Sequence, residues 1–366
     1  MAVIIAATVA VLAAFDLAVG IVARPPADPS VEPNGIVRYF GYGESIEGKL
    51  RHQLGPTPDK DAPILKAGWI DTECTRSPTP NDTHGVTVYG MSFSQRVAAQ
   101  LATLAPDLHI TSFGGPGAPP NHSYACFRIR QDRNLDHNGT QVLGILAGSL
   151  RRTAATSGLG TSFEAPQPFT FPRYVLRDNR LQAIEPPISD QAGLRATLRS
   201  HQTWREYVSQ LAAQDPFVSP ALANHDLLDY SMTARMLRRA WGQRHIADIT
   251  ARLRGDGDYD GDPALMPALR AMVLDFAQRA RAAGSNPVIL LFEDRGYDGV
   301  LRRTLLPLLE ANGIPYVLSA DIAPATDAGI FEPDGHFLPR IDRAMAERLL
   351  PIIESRTTQT PEPVAR

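Results

Sequence analysis

A serine that follows a glycine at the end of a short apolar run, and a histidine two residues after an aspartate far down the chain, have the types and spacing for nucleophilic chemistry. Val86 to Tyr89 reads as a strand, and Tyr89-Gly90-Met91-Ser92-Phe93-Ser94 leads it directly into a helix with apolar residues at Val97, Ala98, Leu101 and Leu104. Such a turn exposes a hydroxyl, and the unpaired N–H groups of the helix N-terminus can hold a developing oxyanion. The plainer role for Ser92 is a helix N-cap, a position that serine favours. Near the other end stands Glu332-Pro333-Asp334-Gly335-His336-Phe337. There Asp334 can reach the His336 imidazole and fix its tautomer, the alternative being an ordinary surface turn before a helix.

These residues need a scaffold that brings their loops to one edge. Strand-like segments at Val86–Tyr89, Leu108–Phe113, Gln141–Leu146, Pro287–Phe292 and Pro315–Leu318 alternate with helical patterns at Phe93–Leu104, Asn121–Arg130, Pro263–Ala283, Val300–Asn312 and Arg340–Glu354. Alternation of this kind implies an α/β fold, with a mostly parallel sheet covered by helices on both faces. Between residues 151 and 262 the rhythm breaks into a proline-rich stretch and then helical segments at Gln191–Gln214 and Ala221–Leu253, read as an insertion. The expected organisation is an apolar N-terminal segment over 1–23, a Pro-rich linker over 24–35, one α/β domain over 36–354 and a tail over 355–366.

At this point the chain resembles the SGNH/GDSL family of serine esterases and acyltransferases. Gly90-Met91-Ser92-Phe93-Ser94 stands where the family has Gly-Asp-Ser, so Ser92 is similar to its nucleophile, and Asp334 and His336 match its Asp and His. Ser112-Phe113-Gly114-Gly115-Pro116-Gly117 resembles the family's second block, which implies an oxyanion-hole role for the Gly117 N–H. The third block, expected after Gln141–Leu146, reads Leu146-Ala147-Gly148-Ser149-Leu150-Arg151-Arg152; it has no Asn, and Ser149 is the best occupant of that position. Met91 replaces the family's Asp. The resemblance implies a flavodoxin-like three-layer α/β/α domain with a helical insertion. It also implies an oxyanion hole from Ser92, Gly117 and Ser149, ester chemistry on acylated small molecules or envelope carbohydrate, and no cofactor. Losing an oxyanion donor lowers rates by about 10²- to 10³-fold, so a catalytically silent glycan- or partner-binding domain is the competing expectation.

Composition narrows the partners. The net charge is -3, only Lys49, Lys60 and Lys66 are lysines among 36 basic residues, and no dense basic run occurs, so nucleic acid is not an expected partner. Cys74 and Cys126 are too few for a disulfide scaffold and lack zinc-ligand spacing; one disulfide is open if the compartment is oxidising. Asp256-Gly257-Asp258-Tyr259-Asp260-Gly261 begins like a calcium loop, but Pro267 stands where the bidentate Glu belongs, so no metal is expected. His52, His84, His109, His122, His137, His201, His225 and His245 show no metal spacing and read as surface or capping residues. Arg38-Tyr39-Phe40-Gly41-Tyr42-Gly43 offers a sugar-stacking wall or, more simply, packing against the sheet. Arg151 and Arg152 offer contacts to a charged substrate or a salt-bridged surface pair.

Ala2 to Ala23 is apolar apart from Thr8 and Asp16 and long enough to cross a bilayer. It reads as a membrane anchor, with a cleaved signal segment and a buried helix as alternatives. Asp16 then needs a partner helix or a place near one interface. Arg24 follows the run and no basic residue precedes it, which sets positive-inside counting slightly toward a cytoplasmic body. The anchor together with the family resemblance instead sets the expectation of a periplasmic or otherwise extracytoplasmic one.

Overall fold

β3 (Thr140–Leu146) and β6 (Asn286–Phe292) are buried along nearly their whole length, as the central strands of a sheet covered on both faces must be. The computed structural model describes residues 1–24, 26, 28, 31–54, 67–76, 85–136 and 138–357. With β1 (Val86–Tyr89), β2 (Ile110–Phe113) and β7 (Tyr316–Leu318), these strands form one five-stranded parallel sheet in the order β2-β1-β3-β6-β7. The register sets Tyr89 beside Phe113 and Leu143, Leu143 beside Ile289, and Leu291 beside Leu318. Counting only the strands of this sheet, the order is 2-1-3-4-5, a doubly wound arrangement that opens a crevice at the carboxyl ends of its first and third strands. Ser92 follows the first of these, and Arg151 and Arg152 follow the third.

Side chains alternate across the strands and sort the helices into two layers. Val86, Val88, Val142 and Leu290 share a core with Val97 and Leu101 of the helix Ser92–Leu104 and Met345 and Leu349 of the helix Pro339–Thr357. Tyr89 has the opposite phase and meets Phe127 of the helix Pro120–Asp132, whose ring in turn packs on Phe276 of the helix Leu265–Ala282. The protein is therefore an α/β chain with helices on both faces of a parallel sheet.

The chain divides into two compact units. The second, Ala67–Ala154, Phe171–Glu185 and Arg252–Arg366, contains the sheet and a hairpin of β4 (Arg173–Arg177) and β5 (Arg180–Ile184). The first gathers Met1–Lys66, Ala155–Thr170 and Pro186–Ala251. The stretch 151–262 is thus shared between the units, and the N-terminal segment Met1–Lys66 belongs with its helices. Within the first unit, Trp204, Tyr207 and Leu211 of the helix His201–Ala212 and Leu50 of the helix Ile46–Leu54 are buried. Its buried charges are partnered: Arg238 bonds to Asp226 and Asp229, and Asp215 accepts from Thr156, Ser157 and Phe217.

Several expected elements differ. The helix expected over Ala221–Leu253 is instead Pro220–Ala223, a 3-10 turn Leu227–Tyr230 and the helix Met232–Arg254, separated where Asp226 and Asp229 form a capping box. The helix expected over Val300–Asn312 divides at Leu305 into Val300–Thr304 and Leu306–Ala311, because Pro307 cannot donate to the preceding turn and fits at the start of a new helix.

The helix Ala2–Val22 is long and apolar enough to span a membrane or to act as a signal sequence. Val3, Ile4, Val11, Leu12, Phe15 and Ile21 are all exposed, so it is not a buried core helix. Asp16 accepts a hydrogen bond from the Thr233 N–H of the helix Met232–Arg254 at 2.7 Å.

Candidate active site

Met91, not Ser92, occupies the N-cap position of the helix Ser92–Leu104, and its side chain forms no cap. Met91 is fully buried in the core instead, and Ser92 is the first helical residue. That shift directs the serine hydroxyl outward. Ser92 Oγ lies 2.7 Å from His336 Nε2, and His336 Nδ1 lies 2.9 Å from Asp334 Oδ2. The pairing assigns the imidazole proton to Nδ1 and leaves Nε2 as acceptor for the hydroxyl. The other carboxylate oxygen, Asp334 Oδ1, accepts the His336 backbone N–H at 3.0 Å. Those two hydrogen bonds, the backbone one foremost, hold the Asp334 carboxyl below the usual range, although the side chain is 61% exposed.

The loop that carries Asp334 and His336 is closed on itself. Phe331 and Phe337 form an isolated antiparallel bridge, and Glu332 N donates to His336 O at 2.7 Å. The Phe93 ring, one residue after the serine, lies 4.9 Å from the imidazole and 5.2 Å from Phe337. Arg96, one turn further along the same helix, clamps the loop from below. Its Nη1 and Nη2 bond to Glu332 at 2.8 and 3.0 Å, its Nε to Asp342 at 2.9 Å, and Nη2 also to the Phe337 carbonyl at 2.9 Å. Arg96 holds Glu332 below the usual carboxylate range, whereas burial pushes Asp342 up. Sequence reasoning missed this clamp. The available signal was a charged residue one helical turn after Ser92 and a Glu at the start of the Asp334–His336 turn, but nothing in the chain paired them across 236 residues.

The second loop of the site follows β2. A Cβ on Gly114 would stand 1.6 Å from the Gly90 carbonyl oxygen, so this turn passes against the backbone two residues before Ser92 only because residue 114 has no side chain. Gly117 has φ +58, a conformation that glycine adopts readily. Neither the Ser92 N–H nor the Gly117 N–H has an acceptor among the described residues, so both donors are available to a bound group. Ser149 differs: its hydroxyl is buried and donates to the Leu146 carbonyl at 2.8 Å. A hydroxyl has one proton, and here it stabilises the turn after β3 rather than reaching the site.

The remaining sequence candidates resolve as structure. Cys74 and Cys126 form a disulfide that joins the segment before β1 to the helix Pro120–Asp132. Asp258 is paired with Arg303, and Asp260 accepts the Asp256 N–H. No cluster of metal-ligating side chains occurs among the described residues. His122 is not a surface residue: it is fully buried, 2.8 Å from the Gly68 carbonyl, and burial lowers its pKa to about 4. His201 pairs with Glu47, His225 with Asp229, and His245 with the Phe217 carbonyl; His84, His137 and the tail from residue 358 lie outside the described residues. Residues 35–41 are a short helix in the first unit, where the Tyr39 and Tyr42 rings face Arg239 at 5.0 and 5.2 Å. Cavities of about 260 and 390 Å³ occur elsewhere, lined by Lys49 and Glu44 in one and Tyr316 and Arg348 in the other, and neither includes Ser92, Asp334 or His336. Compared with known proteins, the chain matches no family model, no curated protein and no solved structure.

Proposed function

We propose that the protein is a serine-nucleophile ester hydrolase or O-acyltransferase of SGNH/GDSL type, acting through an acyl-enzyme on Ser92. The observation that carries this reading is the continuous chain from Ser92 Oγ through the His336 imidazole to Asp334, at 2.7 and 2.9 Å. In the mechanism, Ser92 Oγ attacks an ester carbonyl while its proton moves to His336 Nε2. Asp334 orients the ring and stabilises the imidazolium. The Ser92 and Gly117 N–H groups stabilise the tetrahedral oxyanion, neither having an acceptor among the described residues. Collapse breaks the ester bond, and the departing alcohol takes the proton from Nε2. Water, or a sugar hydroxyl deprotonated by the same nitrogen, then takes the acyl group and restores Ser92.

The substrate class is an acylated small molecule or an acyl ester of envelope or exported carbohydrate. The membrane-length helix and the Cys74–Cys126 disulfide support an anchored protein whose body faces an oxidising, extracytoplasmic space. A second reading, a silent domain that binds glycan or a partner, is favoured by one observation: the Ser149 hydroxyl is committed to Leu146, which leaves the expected Asn position without a free side-chain donor.

The two readings separate with an active-site serine probe and p-nitrophenyl acetate, applied to the detergent-solubilised full chain beside Ser92→Ala and His336→Ala. Labelling and turnover in the parent, with losses of about 10⁴-fold or more in both variants, are expected for the enzyme. A folded parent that neither labels nor turns over is a binding domain.

A further inference from the structure

Arg152 stands where the first turn after β3 meets the loop after β2. Its Nη1 donates to the Gly117 carbonyl at 2.8 Å, so the guanidinium touches the residue whose N–H faces the developing oxyanion in the proposed reaction. The contact is close enough that a Cβ on Gly117 would lie 2.4 Å from Nη1. Arg96, Arg130 and Arg238 are each held by carboxylates, whereas no carboxylate lies within ion-pair distance of Arg152 among the described residues. Burial, with Arg151 adding like charge, lowers the Arg152 guanidinium to about 10, the direction expected when a cation is desolvated without an anion beside it. Arg151 does not share this isolation, since it acts electrostatically on Asp294.

This partly buried guanidinium uses one of its five donors on a carbonyl and keeps the others for a ligand. Its fork matches an oxyanion with two parallel acceptors. One uncompensated positive charge matches a monoanion, and a carboxylate supplies both that charge and that geometry. We propose that Arg152 is a specificity residue that holds a carboxylate on the substrate, so that the preferred ester carries a negative charge near the scissile bond. This rests on the ester chemistry assigned above. The carboxylate belongs either to the acyl group, as in a dicarboxylic half-ester, or to the alcohol, as in an acylated acidic sugar.

The test uses full-length protein in detergent and four esters. Mono-p-nitrophenyl glutarate carries its charge on the acyl side and 4-acetoxybenzoate on the alcohol side; p-nitrophenyl butyrate and phenyl acetate are their neutral counterparts. Calorimetric binding to Ser92→Ala is compared with binding to the same protein carrying Arg152→Gln or Arg152→Lys. For at least one pair, the charged ester is expected to bind Ser92→Ala roughly tenfold or more tightly than the neutral one. Arg152→Gln abolishes that ratio, Arg152→Lys keeps part of it, and raising salt from about 50 to about 500 mM diminishes it. The pair that shows the effect identifies the side of the ester that bears the charge. Equal binding of charged and neutral esters by Ser92→Ala, or a ratio that survives Arg152→Gln, overturns the proposal. Turnover by the parent without a charge preference removes the anion site and leaves the esterase. A preference that needs Arg152 in a parent inert to the serine probe removes the esterase and leaves the anion site.

Discussion

Arg96 touches no reacting atom in the proposed mechanism, yet it connects the helix that begins with Ser92 to the loop that carries His336. Four hydrogen bonds converge on it, and one of its partners, Asp342, has a side chain only 2% exposed. Arg96→Gln leaves that carboxyl buried without its cation, which costs ~2–3 kcal/mol, below the usual range for a broken buried pair because the Arg96 side chain is itself 29% exposed. The expected catalytic signature is a fall in kcat of about tenfold or more with KM changed less than about threefold, since the Ser92–His336 distance loosens while the binding surface stays. Arg96→Lys keeps the charge but not the fork and is expected to recover part of kcat. Steady-state kinetics well below the melting temperature check this. A melting loss with kcat intact would make the clamp purely structural. The Ser92–His336–Asp334 contact was legible because a strand-to-helix serine and an Asp-x-His turn are local patterns. Arg96, Glu332 and Asp342 were not, because an ion pair between sequence-distant residues has no local signature. Ser149 was placed by analogy of position, and its hydroxyl donates instead to the backbone carbonyl of Leu146.

At the scale of elements, the sheet strands were readable from apolar runs of strand length, and their parallel pairing followed from the helices between them. The β4–β5 hairpin was hidden by its exposure: little of it is buried, so no clean alternation marks it. Its turn nonetheless carries a usable signal, since Asp178 and Asn179 both have positive φ, and these residue types tolerate that conformation in two-residue hairpins. The segment before β1 presents the opposite case, because its position depends on a covalent bond that spacing alone left open. Cys74–Cys126 closes a loop of 52 residues and sits beside Arg130, which bonds to Asp136 at 2.5 and 2.7 Å and to the carbonyls of Cys74 and Arg76. Tyr89, at the end of β1, also donates to Asp136, so the tether lies within one side-chain network of the strand that leads to Ser92. Chain-entropy arguments give about 4 kcal/mol for a loop of this length. Reduction, or Cys74→Ser with Cys126→Ser, is expected to lower the unfolding free energy obtained from denaturant titration by an amount approaching that value. A loss of unfolding free energy below about 1 kcal/mol would show that the Arg130 network holds the segment without the bond.

For the whole molecule, acid and base stability depend on which buried groups hold their protons. Asp294, beside the turn after β3, accepts the Gly148 N–H at 2.8 Å, and burial raises its pKa to about 6. Asp215, in the other unit, is raised by burial to about 6 as well. An aspartate in the unfolded chain titrates near 3.9, so between about 4 and 6 the native state holds more protons than the unfolded one. Stability from these groups therefore falls as pH rises through that window, and above about 6 a buried charge costs ~2–3 kcal/mol for Asp294. His122 has the opposite slope. Its pKa of about 4 lies below the unfolded value near 6.5, so the unfolded state binds more protons and stability rises with pH across nearly the same range. The opposing terms partly cancel in the parent, and a simple melting curve against pH conceals each of them. A difference measurement isolates one. Asp294→Asn keeps an amide oxygen for the Gly148 N–H and removes the charge, while Asp215 and His122 contribute equally to both proteins. The variant is expected to exceed the parent in stability by ~2 kcal/mol at about pH 8, with the advantage vanishing by about pH 4. Melting temperatures of the two proteins across that range test it. A difference independent of pH would mean that the Asp294 carboxyl is not desolvated and that Arg151 neutralises it. The turn after β3 would then carry its positive charge on Arg152 alone.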